Sequence, residues 1–161
     1  MKKKLILLSL LNLALITSVV AQGFDQGVKN LSVGLNGGWG IGIVGMYDVG
    51  ITPDISVGAQ VGFNSGYTRY YYGSGSNGFL SAGVRGSYHF GNILNDAIGN
   101  FNTDKNDPYA GIGLGYRGNT YFLSPIYFGG HVGYRYGIND KLGVYAEGGW
   151  PFSSIGVTFK M

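Results

Sequence analysis

Cysteine is absent from the sequence, proline occurs only 4 times in 161 residues, and charged residues make up just 12% of the chain. Without cysteine there is no disulfide framework, no thiolate metal site, no thiol nucleophile and no lipid-bearing N-terminal cysteine. A chain so poor in charge has little with which to cover a solvated surface. Yet 45% apolar and 15% aromatic residues make it too hydrophobic to stay disordered. Its 31 glycines follow no three-residue period, which excludes a collagen-like rod. The length accommodates one domain.

Long hydrophobic runs are missing too, with one exception. Met1-Lys2-Lys3-Lys4 leads into an apolar stretch from Leu5 to Val20 that closes on Val19-Val20-Ala21. Ser9, Asn12, Thr17 and Ser18 interrupt it, and it falls short of the roughly 20 residues that span hydrocarbon as a helix. A basic start, a short apolar centre and small residues at the end predict a secretory signal peptide over residues 1–21, removed after Ala21. Residues 22–161 are then a single domain. Taking Lys2, Lys3 and Lys4 from the 11 basic residues leaves eight, against eight acidic ones, so the mature chain is formally neutral. The basic balance belongs to the precursor, and no nucleic-acid partner is expected.

What remains is organised by a period of two. Leu31, Val33 and Leu35 alternate with Ser32, Gly34 and Asn36, and Trp39 and Ile41 keep the apolar parity. Ile43, Tyr47, Val49 and Ile51 follow, and after Thr52-Pro53-Asp54 the series Ile55, Val57, Ala59, Val61, Phe63 alternates with Ser56, Gly58, Gln60, Gly62, Asn64. The pattern recurs from Leu80 to Phe90, from Ala110 to Arg117, from Ile126 to Ile138, from Leu142 to Gly149 and from Ser154 to Met161. This is strand alternation, and it predicts eight strands. Helical periodicity appears nowhere convincingly, apart from a short helical turn at Ile93 to Ile98. Parity also predicts register, because a one-residue slip would exchange the faces. A three-residue turn at Thr52-Pro53-Asp54 pairs Ile51 with Ile55 and places Asp48 opposite Gly58. One at Asn139-Asp140-Lys141 pairs Ile138 with Leu142 and places Arg135 opposite Tyr145.

One face of these strands is continuous and apolar, with aromatics near the strand ends; the other is mostly Gly, Ser, Asn and Gln. A soluble sandwich would put charge on the second face. An apolar face that no second layer covers must meet lipid, and lipid forbids open sheet edges, so the sheet has to close. The predicted fold is all-β: a closed, antiparallel, up-and-down transmembrane β-barrel of eight strands. Val57 and Val84 are placed at mid-bilayer facing lipid, and Gly58 on the inner face is expected to accept Ser.

Residues 28 to 161 resemble the small eight-stranded outer-membrane barrels of the OmpA transmembrane-domain and OmpX type. The resemblance rests on strand number, alternation, aromatic girdles and the closing strand Ile155-Gly156-Val157-Thr158-Phe159. It implies residence in the outer membrane of a Gram-negative envelope, in contact with the bilayer and lipopolysaccharide. It further implies periplasmic chaperones during biogenesis and a barrel assembly machinery that reads Val157 and Phe159. Lys160 and Met161 follow the terminal aromatic, a departure from the family's pattern. A monomer with both termini periplasmic is expected. Outer loops then fall at Gly37 to Gly40, Ser65 to Gly78, Gly118 to Pro125 and Trp150 to Phe152; inner turns fall at Thr52 to Asp54, Gly91 to Pro108 and Asn139 to Lys141.

Chemistry-bearing residues are few. Asp48, Arg85, Arg117, His131, Arg135 and Glu147 all have inward parity and are predicted to form a polar network in the lumen. Glu147, opposite Gly133, lies diagonal to His131 and Arg135, about 7 to 8 Å away at Cα, and Arg85 can reach it across the tube. Tyr67, Arg69, Tyr70, Tyr71 and Tyr72, set among Ser and Gly, have the composition of a surface contact loop, or else continue the strands above the bilayer with Tyr at headgroup level. A structural or surface-interaction role with a plugged lumen is the favoured reading, because an eight-stranded barrel is just wide enough for side chains to fill. A narrow pore for small solutes is the first alternative. A membrane-embedded lipid-modifying enzyme is the second; barrel lipid A deacylases place Ser two residues after their His, and here that position is Gly133. No catalytic residue, cofactor or metal is expected.

Overall fold

The computed structural model describes residues 24–38, 40–70, 73–118 and 126–161, with backbone alone over 66–70 and 73–77. The predicted signal segment, Trp39, Tyr71, Tyr72 and most of the Gly118 to Pro125 loop lie outside the described residues. Among those described, the strands are β1 (Lys29–Gly37), β2 (Ile41–Gly50), β3 (Ile55–Tyr70), β4 (Gly73–His89), β5 (Asn106–Gly118), β6 (Ile126–Gly137), β7 (Leu142–Gly149) and β8 (Ser153–Lys160). A short helix, α1 (Gly91–Ile98), separates β4 from β5. Each strand pairs antiparallel with the next, and β8 returns to β1 with Val157 opposite Val33, closing the barrel.

The alternation sorts residues inside out relative to a soluble protein. Leu35, Ile43, Val84, Leu114, Phe128 and Val132 are exposed on the outer surface, Phe128 at 65%, whereas Asp48, Asn64, Arg85 and Arg135 are buried inside, Asp48 at 0%. Closure satisfies the backbone of every strand sideways, which is what allows such an apolar exterior to sit in hydrocarbon. Phe63, Tyr116 and Phe128 ring one end of that exterior, and Phe90, Tyr134, Tyr136 and Phe159 the other. Aromatic rings toward both ends of an apolar exterior are the pattern of a transmembrane barrel. The fold is an eight-stranded transmembrane β-barrel.

Both three-residue hairpins have the expected register. Ile51 N–H donates to Ile55 O at 2.9 Å and Asp48 faces Gly58; Ile138 N–H donates to Leu142 O at 2.9 Å and Arg135 faces Tyr145. Side chains hold these turns. Thr52 Oγ1 accepts from Ile55 N–H at 2.9 Å, and Asn139 Oδ1 accepts from Leu142 N–H at 2.8 Å, each standing in for a backbone carbonyl.

Two connections differ from expectation. The turn predicted to run to Pro108 ends sooner, because β5 starts at Asn106; Pro108 stays in the strand and its carbonyl accepts from Phe90 N–H at 2.8 Å. The predicted helical turn is α1, stopped by Gly99 in the left-handed region at φ 78°. The predicted loop from Ser65 to Gly78 is mostly strand. The β3–β4 ladder continues to Tyr70 opposite Gly73, past the points where β2 leaves β3 at Ser65 and β5 leaves β4 at Leu80. The tip of this hairpin is therefore a two-stranded ribbon standing beyond the barrel. Its end is called the far end below, and the end where β1 begins and β8 finishes the terminal end.

The inner face does not have room for the substitution expected to be mild. A Cβ on Gly58 would collide with the Asp48 carboxylate and lie 3.1 Å from Asp48 Cα. Gly58→Ser should thus destabilise the barrel by about 1 to 3 kcal/mol, the usual range for overpacking. Gly45 points outward, and a Cβ there meets nothing closer than Val61 Cγ2 at 3.7 Å. Gly45→Ala should be near neutral, and urea unfolding of both variants in lipid vesicles measures the contrast.

Candidate functional site

The lumen holds a buried concentration of charge, Asp48, Arg85 and Arg135 among it, and glycine makes the space for it. Several large inward side chains have glycine beside them in the ladder. Arg85 lies between Gly58 and Gly113, His131 between Gly111 and Gly149, and Tyr109 and Glu147 both flank Gly133. Tyr109 lies over Gly133, and Tyr127 over Gly115 and Gly83. The rings fill what these glycines leave open.

From mid-height toward the terminal end the charged groups form one connected chain. Arg85 donates to both oxygens of Glu147, from Nη2 to Oε2 at 2.6 Å and from Nη1 to Oε1 at 3.2 Å. Its Nε lies 3.4 Å from Asp48 Oδ1, and its Nη1 is 2.8 Å from Met46 Sδ. The other Asp48 oxygen accepts from Arg135 Nη2. Arg135 Nη1 reaches Asp107 Oδ2 at 3.4 Å, and His89 Nδ1 holds Asp107 Oδ1 at 2.6 Å. Tyr109 ties the chain across the tube: its hydroxyl donates to Glu147 Oε2 at 3.0 Å, and Arg135 Cζ lies 4.5 Å from its ring centroid. Charges withdrawn from water must be paired, and the alternation of acid and base along this chain pairs them, although Asp48 Oδ1, Arg85 Nε and Arg135 Nε make no hydrogen bond.

All six residues predicted for the lumen point inward, but they are not partnered as the diagonal rule suggested. Glu147 takes Arg85 and Tyr109 rather than Arg135 and His131. Arg135 turns to Asp107, which sits directly opposite it in the β5–β6 ladder, and a direct neighbour lies closer than a diagonal one. His131 Nε2 pairs with Ser87 Oγ at 2.9 Å, and Arg117 is buried nearer the far end, opposite Ser81. His89, Asp107 and Tyr109 were missed. His89 shares the parity of Arg85 and Ser87, which could have found it; Asp107 and Tyr109 were hidden because Pro108 reads as a turn.

Above and below this chain the inward side chains make neutral contacts. Toward the far end Gln60 Nε2 donates to Tyr127 Oη at 3.0 Å, Asn36 and Asn64 exchange amide hydrogen bonds at 3.1 and 3.2 Å, and Phe152 packs edge-on against Tyr127. Toward the terminal end Ser32 bonds Thr158 at 2.9 Å, and Phe24 stacks flat on His89 with centroids 3.4 Å apart. Cavities of about 20 Å³ beside Glu147 and His131, about 10 Å³ beside His89 and about 60 Å³ at the terminal mouth remain. Those are spaces for one to a few waters. Among the described residues no group of three or more His, Asp or Glu is placed to hold a metal ion.

The remaining predicted sites lie elsewhere. Tyr67, Arg69 and Tyr70 belong to the projecting part of β3, with no description of their side chains; Tyr71 and Tyr72 are outside the described residues. Val157 and Phe159 face outward from β8, opposite Val33 and Leu31 of β1.

No family profile and no curated protein matches this chain. Solved structures do. A de novo designed transmembrane β-barrel matches with a TM-score of 0.61 at 16% identity, covering 87% of this chain and all of the design. The N-terminal β-barrel domain of Pseudomonas aeruginosa OprF matches with a TM-score of 0.59 at 15% identity, over 87% of this chain and all of that domain. The Yersinia pestis outer membrane protein Ail, in a phospholipid bilayer nanodisc, matches with a TM-score of 0.53 at 12% identity, over 84% of this chain and all of Ail. At such identities the likeness concerns fold, and in fold this chain stands with the small eight-stranded transmembrane barrels.

Proposed function

We propose that this chain is an integral outer-membrane β-barrel with a side-chain-plugged lumen, whose work is done by its bulk in the membrane and by its surface rather than by conduction. The observation that carries this reading is the ion-pair chain from His89 to Glu147, which crosses the tube with cavities of about 10, 20 and 60 Å³ beside it. A pore would need a continuous wet path where Arg85, Tyr109 and Glu147 meet. Both termini are assigned to the periplasm, which puts the two three-residue turns on that side, as short periplasmic turns are in bacterial barrels. The β3–β4 ribbon then projects from the cell surface. With both edges unpaired among the described residues, and Tyr and Arg in its sequence, it is the natural contact surface for external partners. Val157 and Phe159 are the outward side chains of the closing strand that an assembly machinery would read, and the folded protein works as a monomer in contact with lipid and lipopolysaccharide.

Cell fractionation with electrophoresis tests this reading. The protein should be recovered in the outer-membrane fraction and migrate faster unboiled than boiled, and a surface protease should cut within the β3–β4 ribbon of intact cells. Recovery as a soluble, detergent-independent protein would overturn it.

A further inference from the structure

The ion-pair chain ends at an imidazole, and beyond that imidazole lies a hydroxyl. Ser56 Oγ is 2.9 Å from His89 Nε2, and His89 Nδ1 is 2.6 Å from Asp107 Oδ1. A carboxylate can only accept, so Nδ1 carries the hydrogen; in the neutral ring Nε2 then offers its lone pair to the Ser56 O–H. The order is hydroxyl, imidazole, carboxylate, drawn from β3, β4 and β5 close to the terminal end, and Arg135 on the second Asp107 oxygen fixes the acid. That is the geometry by which an imidazole, oriented by an acid, activates a serine.

A second serine–histidine pair serves as an internal comparison. Ser87 Oγ lies at the same 2.9 Å from His131 Nε2, but among the described residues no carboxylate hydrogen bonds to the other nitrogen of His131. Access also distinguishes the two. Phe24, from the segment before β1, covers the His89 ring on the terminal side, and it also lines both the 10 Å³ cavity beside His89 and the 60 Å³ mouth cavity beside Asp107. If Phe24 swings aside, the imidazole edge opens to the mouth.

We propose that Ser56, His89 and Asp107 form a nucleophilic acyl-transfer site for small neutral carboxylic esters that enter by the terminal mouth past Phe24. Small follows from the burial of the site, with Ser56 1% and His89 2% exposed and the adjoining cavities holding one to a few waters, and neutral from the charges already packed at that end. Ser56 Oγ adds to the ester carbonyl carbon while its proton passes to His89 Nε2. The tetrahedral adduct expels the alcohol oxygen, which takes that proton, leaving acyl-Ser56. Water, deprotonated by His89, then adds to the acyl carbonyl, and Ser56 leaves with its proton restored and a carboxylic acid released. Asp107 is a positioning residue, acting through His89.

The assignment does not depend on the outer-membrane reading, and it is tested on purified protein folded in detergent, heat-shifted mobility confirming the fold of each variant. The probes are a small alkyl fluorophosphonate, with the adduct mapped by mass spectrometry, and p-nitrophenyl acetate. A single adduct should map to Ser56, disappear in Ser56→Ala and persist in Ser87→Ala. Phe24→Ala should react faster than the unmodified protein. Asp107→Asn should react about 10⁴-fold more slowly at neutral pH and recover at alkaline pH, where hydroxide replaces the imidazole as base. Absence of a Ser56 adduct in both the unmodified protein and Phe24→Ala overturns the proposal. So does an Asp107→Asn rate equal to that of the unmodified protein.

Discussion

Glu147→Ala is expected to lower the stability of the folded barrel by about 3 to 5 kcal/mol, the cost of removing one partner from a buried ion pair. The carboxylate accepts two hydrogen bonds from Arg85 and one from Tyr109. Without it Arg85, only 4% exposed, keeps a single acid, Asp48, through Nε at 3.4 Å. The loss comes from the stranded guanidinium rather than from the missing attraction, because desolvation is the larger quantity. A double variant, Arg85→Met with Glu147→Leu, removes both charges and should recover most of the loss. Urea unfolding in lipid vesicles, arranged as a double-mutant cycle, measures both numbers. A Glu147→Ala cost below about 1 kcal/mol would mean that the pair is hydrated and that the lumen is wetter than its packing indicates.

Val84→Arg should cost about 2 to 4 kcal/mol, since Val84 faces lipid near the middle of β4, between Ala59 and Leu114 of its neighbours. Ile41→Arg, at the far-end start of β2, should cost only about 0 to 1 kcal/mol, because a charge there reaches the interface. The depth dependence matters more than either value. A soluble barrel with an apolar exterior would accept Arg equally at both positions, so equal tolerance would contradict the placement of the outer face in hydrocarbon.

Most of the architecture is legible because a period of two has only two faces, and lipid permits only one of them to be outside. Ile55 to Asn64 suffices to orient β3, and the neighbouring turns propagate that orientation by parity. Partner choice across the tube is a different matter. Inward parity lets Arg85, 62 residues away, reach Glu147 across the tube, as it does; that Tyr109 rather than Arg135 or His131 joins them depends on the tilt and stagger of the closed sheet, which are properties of all the strands together. Arg135 illustrates the same limit at shorter range. Its direct partner Asp107 was hidden behind Pro108, a residue that signals a turn but here sits outward in the first turn of the ladder. Gly58 reads as a tolerant small residue in the alternation and is in fact the space that Asp48 occupies. The length of the β3–β4 ribbon went unrecognised for the opposite reason, since Gly, Ser and Asn resemble a loop until their pairing is seen.

Planar-bilayer recording of the unmodified protein, alongside Glu147→Ala, tests the sealed barrel most directly. A lumen held shut by Arg85, Asp48, Arg135, Asp107 and Glu147 predicts that the unmodified protein inserts but stays electrically silent, and that intermittent current appears when Glu147 is replaced. Large, steady currents from the unmodified protein would contradict the account, because no such current can pass while those side chains occupy the axis.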